Sequence, residues 1–125
     1  MTPLLLLALS VAGGAGAATR FLLDGLIRAR TTGRYPVGTT VINLSGSLLL
    51  GLLAGLTTAS VLPEAWQAVV GTGFLGGYTT FSTASFETVR LLQSRRYVAA
   101  LLNGLGMLVF GVAAAAAGFA LGAAL

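Results

Sequence analysis

The chain has no cysteine and no histidine, and all seven of its basic residues are arginine. Without cysteine there is no disulfide and no thiolate metal site. Without histidine there is no imidazole ligand and no imidazole acid–base chemistry. Acidic residues are as scarce: Asp24, Glu64 and Glu87 are the three. No nucleophile–base set and no nucleotide-binding motif is visible, so an enzyme is not expected.

What remains is apolar. The 125 residues are 56% hydrophobic and 8% charged, with a mean hydropathy of +0.94. A soluble domain of this size has no use for so much apolar surface. Uncharged stretches run from Met1 to Thr19, Tyr35 to Pro63, Ala65 to Phe86 and Tyr97 to Leu125. Each is near or above the ~18 residues that suggest a spanning helix. No basic region precedes the first stretch, so it reads as an authentic span rather than a secretory signal. The expectation is an all-α membrane protein, residues 1–125 forming one transmembrane domain. Its four helices fall near 3–24, 37–60, 65–92 and 96–123. Pro36 suits a helix entry, where its missing N–H is not needed.

The net charge of +4 would suggest nucleic acid in a soluble protein. Here the arginines flank apolar runs and read as topology determinants, so no nucleic-acid partner is expected. Arg28, Arg30 and Arg34 fall in the first loop, and Arg90, Arg95 and Arg96 around the third. The positive-inside rule places both loops in the cytoplasm and the termini outside. Small residues recur at 13–18, at Gly46 and Gly51, and at Gly104, Gly106, Gly111 and Gly118. They let membrane helices approach closely. Four thin helices make a poor container alone, so an oligomer, at least a dimer, is expected.

The third run contains the most informative stretch, Gly71 to Thr83, with four glycines at 71, 73, 76 and 77 followed by Thr79, Thr80, Phe81, Ser82 and Thr83. Glycines this dense are expected to break or unwind the third helix. Backbone polar groups stranded at membrane depth cost several kcal/mol each unless buried in protein or facing water. A chain that keeps such a feature is using it to hold an ion or a polar solute. Unwound backbone over Gly76–Thr80 exposes carbonyls suited to a hard cation such as Na⁺. Asn43, mid-span in the second helix, offers two donors and one acceptor, either as glue between helices or toward a solute. Thr39, Thr40, Ser45 and Ser47 are weaker candidates, since each can bond back to its own helix. Ser82 and Ser85 share a helical face. Phe81 can turn an electropositive ring edge toward a small anion. Glu87 and Arg90, three apart, are placed to pair. Arg20 either snorkels to the interface or draws anions into a vestibule.

Taken together, Gly13-Gly-x-Gly-Ala-x-x-Arg20-Phe, Gly38-Thr-x-x-x-Asn43-x-x-Gly46 and Gly73-Phe-x-Gly-Gly-x-Thr-Thr-Phe-Ser-Thr83 resemble the Fluc (CrcB) fluoride channels. The match covers the first three helices in order. The resemblance implies a passive fluoride exporter of the bacterial plasma membrane, built as an antiparallel dimer with two pores. It implies a structural Na⁺ at the dimer centre, held by backbone carbonyls that fall here on Gly76 and Thr79. It makes Asn43 the pore asparagine and Phe81 one of a phenylalanine pair. Thr40, Ser82, Ser85 and Arg20 complete the pore-lining candidates. Beyond the lipid, its expected partners are fluoride and a second subunit.

The chain departs from that pattern in three places. Position 84, where the second phenylalanine belongs, is alanine, and Phe86 lies on another helical face. The fourth helix has no serine or threonine; Asn103 is its only deep uncharged polar side chain. The arginine bias is strong, whereas a chain inserting both ways needs little. These departures point to one fixed-orientation half of a heterodimer with an oppositely oriented paralogue, a homodimer of dual topology being the other form. Two other functions stay open: a non-conducting structural or assembly subunit, and a small multidrug-type proton-coupled transporter, which would need a carboxylate within the membrane.

Overall fold

The computed structural model describes residues 1–33 and 35–125; Arg34, one of the first-loop arginines, lies outside the described residues. The described chain is helical nearly throughout. Helix α1 (Pro3–Arg30) begins where Thr2 Oγ1 accepts the Leu5 N–H at 3.1 Å, with proline at the entry. It runs a turn and a half beyond its expected end. Asp24 and Arg28 pair across one turn at 2.9 Å and carry the helix out of the apolar run. Helix α2 (Val37–Thr58) follows Pro36. It closes on Ser60, which takes a left-handed φ of 62° while Val61 N–H returns to the Leu56 carbonyl. The third turn stops the same way, with Arg95 at φ 60° and Arg96 N–H returning to Leu91.

The third run forms two helices. Helix α3 (residues 64–78) contains a π-helical stretch at Gln67–Leu75 and ends at Tyr78. Helix α4 (Ser82–Gln93) follows, and Thr79 to Phe81 between them are not helical. Helix α5 (Tyr97–Ala124) crosses back, with a second π-helical stretch at Leu102–Gly106. Helices α1, α2 and α5 are each long and apolar enough to span a membrane without interruption. The third pass is the one in two pieces.

The expectation that the glycines themselves unwind the third run is corrected. Gly71, Gly73, Gly76 and Gly77 are all helical, and the non-helical residues come after them. Three of the four instead admit neighbouring groups. A Cβ on Gly77 would collide with the Gly13 carbonyl, and one on Gly73 would press on the Leu9 backbone. Gly16 of α1 meets the Phe74 carbonyl in return. A second seam joins α2 to α5, where Gly51 and Gly55 face the backbone of 115–123 and Gly118 and Gly122 face that of 48–56. Without a hydrophobic drive in lipid, such backbone-to-backbone approach is what holds helices together. The buried centre is small: Ile42, Leu75 and Tyr78, flanked by Leu23, Leu53 and Phe74. Large side chains such as Leu4, Phe21 and Leu108 point outward, as suits a chain whose solvent is lipid.

Candidate functional site

The break between α3 and α4 is stitched to α2 by one side chain. Asn43 Nδ2 donates to the Thr80 carbonyl at 2.8 Å, and Thr80 N–H donates to Asn43 Oδ1 at 2.8 Å. The amide thus stands in for a peptide group and satisfies both backbone groups of a non-helical residue, the requirement for irregular backbone at membrane depth. The second Nδ2 hydrogen reaches Met107 Sδ of α5 at 3.2 Å, a weak acceptor. Thr80 Oγ1 then accepts the Thr83 N–H at 3.2 Å, which starts α4. Because Thr80 N–H is taken by Asn43, it does not go to the Gly76 carbonyl, its partner in a continuous helix. Gly77 O accepts from Arg20 Nε at 3.3 Å.

A cavity of about 640 Å³ opens beside this stitch, bounded by α2, residues 79–81, α4 and α5. Of the pore candidates it gathers Asn43, Phe81 and Ser85, together with Thr79 of the metal pair. Phe81 is 87% exposed on the single chain, the most exposed large apolar side chain described. Ser85 Oγ donates back to the Phe81 carbonyl at 2.9 Å. Thr40, Ser82, Arg20 and Gly76 are not among the lining residues. Thr40 Oγ1 is spent on the Pro36 carbonyl at 3.1 Å. Ser82 is exposed at the start of α4, its Oγ 3.5 Å from Thr80 Oγ1. Arg20 is half-buried, and its Nε donates to the Gly77 carbonyl at 3.3 Å. Gly76 is exposed, and a Cβ there would meet nothing within 4 Å, so the surface at this residue is open.

The cavity also has walls that the motifs did not single out. Ser47 lies one turn beyond Asn43 on the same face of α2. Asn103 of α5, 1% exposed, donates from Nδ2 to Thr88 Oγ1 at 2.8 Å and to the Ala84 carbonyl at 3.2 Å. Four-residue spacing from Asn43 was the available signal for Ser47. For Asn103 it was solitude, as the one deep polar residue of its helix.

A second cavity of about 740 Å³ lies at the arginine-bearing end, lined by Asp24, Arg28, Glu87, Arg90 and Arg96 among others. Arg28 bridges two carboxylates there, Asp24 at 2.9 Å and Glu87 at 3.4 Å. The expected Glu87–Arg90 pair is therefore corrected: Glu87 turns across to α1, and Arg90 lies over the Phe86 ring, 5.8 Å from its centroid. That Arg28, Arg90 and Arg96 share one cavity puts the first and third turns on one side.

Apolar spanning helices, one interrupted pass and a largely apolar cavity carrying a few uncharged polar groups at the interruption define a multi-pass membrane protein. Comparison with known proteins gives its family. Residues 7–119 match the family model described as CrcB-like protein, Camphor Resistance (CrcB). The chain belongs to the CrcB family. It is 54% identical over 122 residues to a protein named fluoride-specific ion channel FluC 1 from Leifsonia xyli subsp. xyli, covering 98% of this chain and 89% of that one. It is 46% identical to FluC 2 of Cutibacterium acnes, over 90% of this chain and 92% of that one. It is 41% identical to FluC of Thermococcus kodakarensis, over 92% and 93%. By these names the family is one of ion channels, not enzymes.

Proposed function

We propose that this chain is a subunit of a fluoride-selective channel in a bacterial plasma membrane, letting fluoride leave the cell passively. The observation that carries the reading is the 54% identity, over 98% of the chain, to a protein named for that ion. The geometry supports it. Fluoride is small and strongly hydrated, so a pore must replace its water with short hydrogen bonds. The mid-span cavity offers an amide, hydroxyls and an aromatic ring, with no ionised side chain among its lining residues. Neutral donors solvate the anion without holding it so tightly that it cannot leave. An inside-negative potential favours exit by about 2.3 kcal/mol per 100 mV, with no need for ATP.

The working unit is a dimer. Phe81 stands out from the single chain, and the open surface at Gly76 lies on the same interrupted pass. An antiparallel second copy would cover both and bring Phe81 to a pore shared between subunits. Ser82, exposed beside it, would join that pore, while Thr40 and Arg20 would line its approaches. Sodium at the dimer centre would be held by the Gly76 and Thr79 carbonyls. They suit it: the Gly76 carbonyl has lost its helical N–H, Thr79 is extended at ψ 160°, and both are neutral oxygen donors. The ion would supply a fixed charge that ties the two breaks together.

The arginine bias supports a heterodimer with an oppositely oriented paralogue. A reporter fused to the C-terminus is expected to read out on one side only; equal populations on both sides would make the chain a dual-topology homodimer. A non-conducting partner subunit is the second reading, favoured by Ala84 and the hydroxyl-free α5. A proton-coupled drug transporter has no such support: Asp24 and Glu87 both sit in the arginine-end cavity, bridged by Arg28. The test is efflux from liposomes holding the chain, alone or with its paralogue, followed by a fluoride electrode. Fluoride is expected to leave while chloride stays. A correctly assembled protein that released neither would leave only the subunit reading.

A further inference from the structure

Two walls of the mid-span cavity face each other with opposite hydrogen-bonding character. On α5 and α4 every donor is already spent. One Asn103 Nδ2 hydrogen goes to Thr88 Oγ1 and the other to the Ala84 carbonyl, while the Thr88 hydroxyl donates to that same carbonyl at 2.8 Å. What remains is an acceptor: Asn103 Oδ1 is buried and has no partner among the described residues. Turning the amide over would set its oxygen against the Ala84 carbonyl, so this orientation is the one the cluster enforces. An acceptor oxygen repels a bare anion, and this one lies out of reach of water, so the α5 side presents no donor to the cavity.

The α2 wall is the reverse. Many hydroxyls of this chain donate back to a carbonyl three or four residues earlier, Ser45 and Thr40 on α2 among them. Ser47 Oγ lines the cavity and makes no such bond among the described residues. Opposite it is Gly111, whose added Cβ would stand 3.6 Å from Ser47 Oγ, so no side chain covers the hydroxyl. One turn away, the second Asn43 Nδ2 hydrogen points at Met107 Sδ, a weak acceptor that an anion can displace without disturbing the two bonds to Thr80.

Building on the anion-channel reading, we infer that Asn43 and Ser47 form a two-donor anion subsite along α2, faced by a donor-free wall at Asn103. The donor track of this subunit therefore runs on α2, and α5 contributes no donor to it. The ligand is a small hard anion that takes two hydrogen bonds, fluoride being the one the cavity passes.

The chain has two asparagines, Asn43 and Asn103, so asparagine labelled with ¹⁵N at the side-chain amide gives two signals, each assigned by its own substitution. In the full-length protein in lipid, titration with sodium fluoride is expected to shift the Asn43 amide and leave Asn103 in place. Ser47→Ala is expected to weaken the midpoint of the Asn43 shift and slow fluoride efflux by about tenfold or more, the loss of one hydrogen bond to a charged group. Ser47→Thr restores the hydroxyl and is expected to recover both, which separates a missing donor from a disturbed fold. Wild-type efflux in Ser47→Ala, or a fluoride-dependent shift at Asn103, overturns this inference and leaves the channel reading intact. No efflux and no shift at either amide in the wild type takes both down.

Discussion

The mid-span and arginine-end cavities handle polarity in opposite ways. At the arginine-bearing end, the cavity is lined by full charges, and Arg28 bridges Asp24 and Glu87 within it. At mid-span, the cavity holds only amides, hydroxyls, backbone and apolar groups. The difference follows from the solvent each faces. Near the membrane surface, water screens charges and they cost little. In the middle, a lone charge would be expensive for the protein and would bind an anion too firmly to release it. A vestibule can collect ions with charge, whereas the narrow part must trade water for hydrogen bonds that are strong enough to admit the ion and weak enough to let it go.

That contrast can be broken from either side. Filling the mid-span cavity should be the most damaging change. Gly46 lines it, and an added side chain would run into the Thr79 methyl and the Tyr78 ring. Gly46→Leu is expected to cost about 1–3 kcal/mol in overpacking and to abolish fluoride efflux. Thermal unfolding in detergent and electrode-measured efflux check the two effects separately. Making the mid-span cavity resemble the other end is the next largest. Asn43→Asp loses the donor to Thr80 O and places a carboxylate where an anion must pass. Efflux is expected to drop by about a hundredfold or more, since like charges brought together cost several kcal/mol. Undiminished flux in that variant would remove Asn43 from the pathway.

The interrupted third pass shows how much of this was legible in the sequence. Charge-free runs and arginine placement located four passes, because lipid forces each span to be long and apolar. The density of glycine drew attention to the right stretch but for the wrong local reason. At Gly73 and Gly77 the missing Cβ admits the α1 backbone, and both residues stay helical. The helix gives way at Thr79 to Phe81, where Asn43 supplies from another helix what the ladder would have supplied. No local pattern could show that, because the partner lies 37 positions away. The same limit applies to Glu87. Its spacing to Arg90 suggested a local pair, while the fold brings Arg28 to it from α1. Asn103 was visible as a solitary polar residue, but its contacts with Ala84 and Thr88 required α4 and α5 to meet.

Removing charge from the arginine-end cavity should be the mildest change. The Arg28 side chain is 61% exposed while its partners Asp24 and Glu87 are 24% and 14% exposed, so the two pairs are partly screened. Arg28→Gln is expected to slow fluoride entry by about threefold at low salt and by less at high salt, as screening removes long-range attraction. A salt-independent loss of the same size would mean that Arg28 acts at close range and that the two cavities divide the work differently.

The reversal potential of the current in a planar bilayer tests most directly the claim that a charge-free cavity passes fluoride alone. With equal chloride and pH on both sides and a tenfold fluoride gradient, the current is expected to reverse near the fluoride equilibrium potential, about 59 mV from zero. It should stay there when a pH gradient is added. Reversal that moved with chloride, or with pH as in a proton-coupled carrier, would contradict the account.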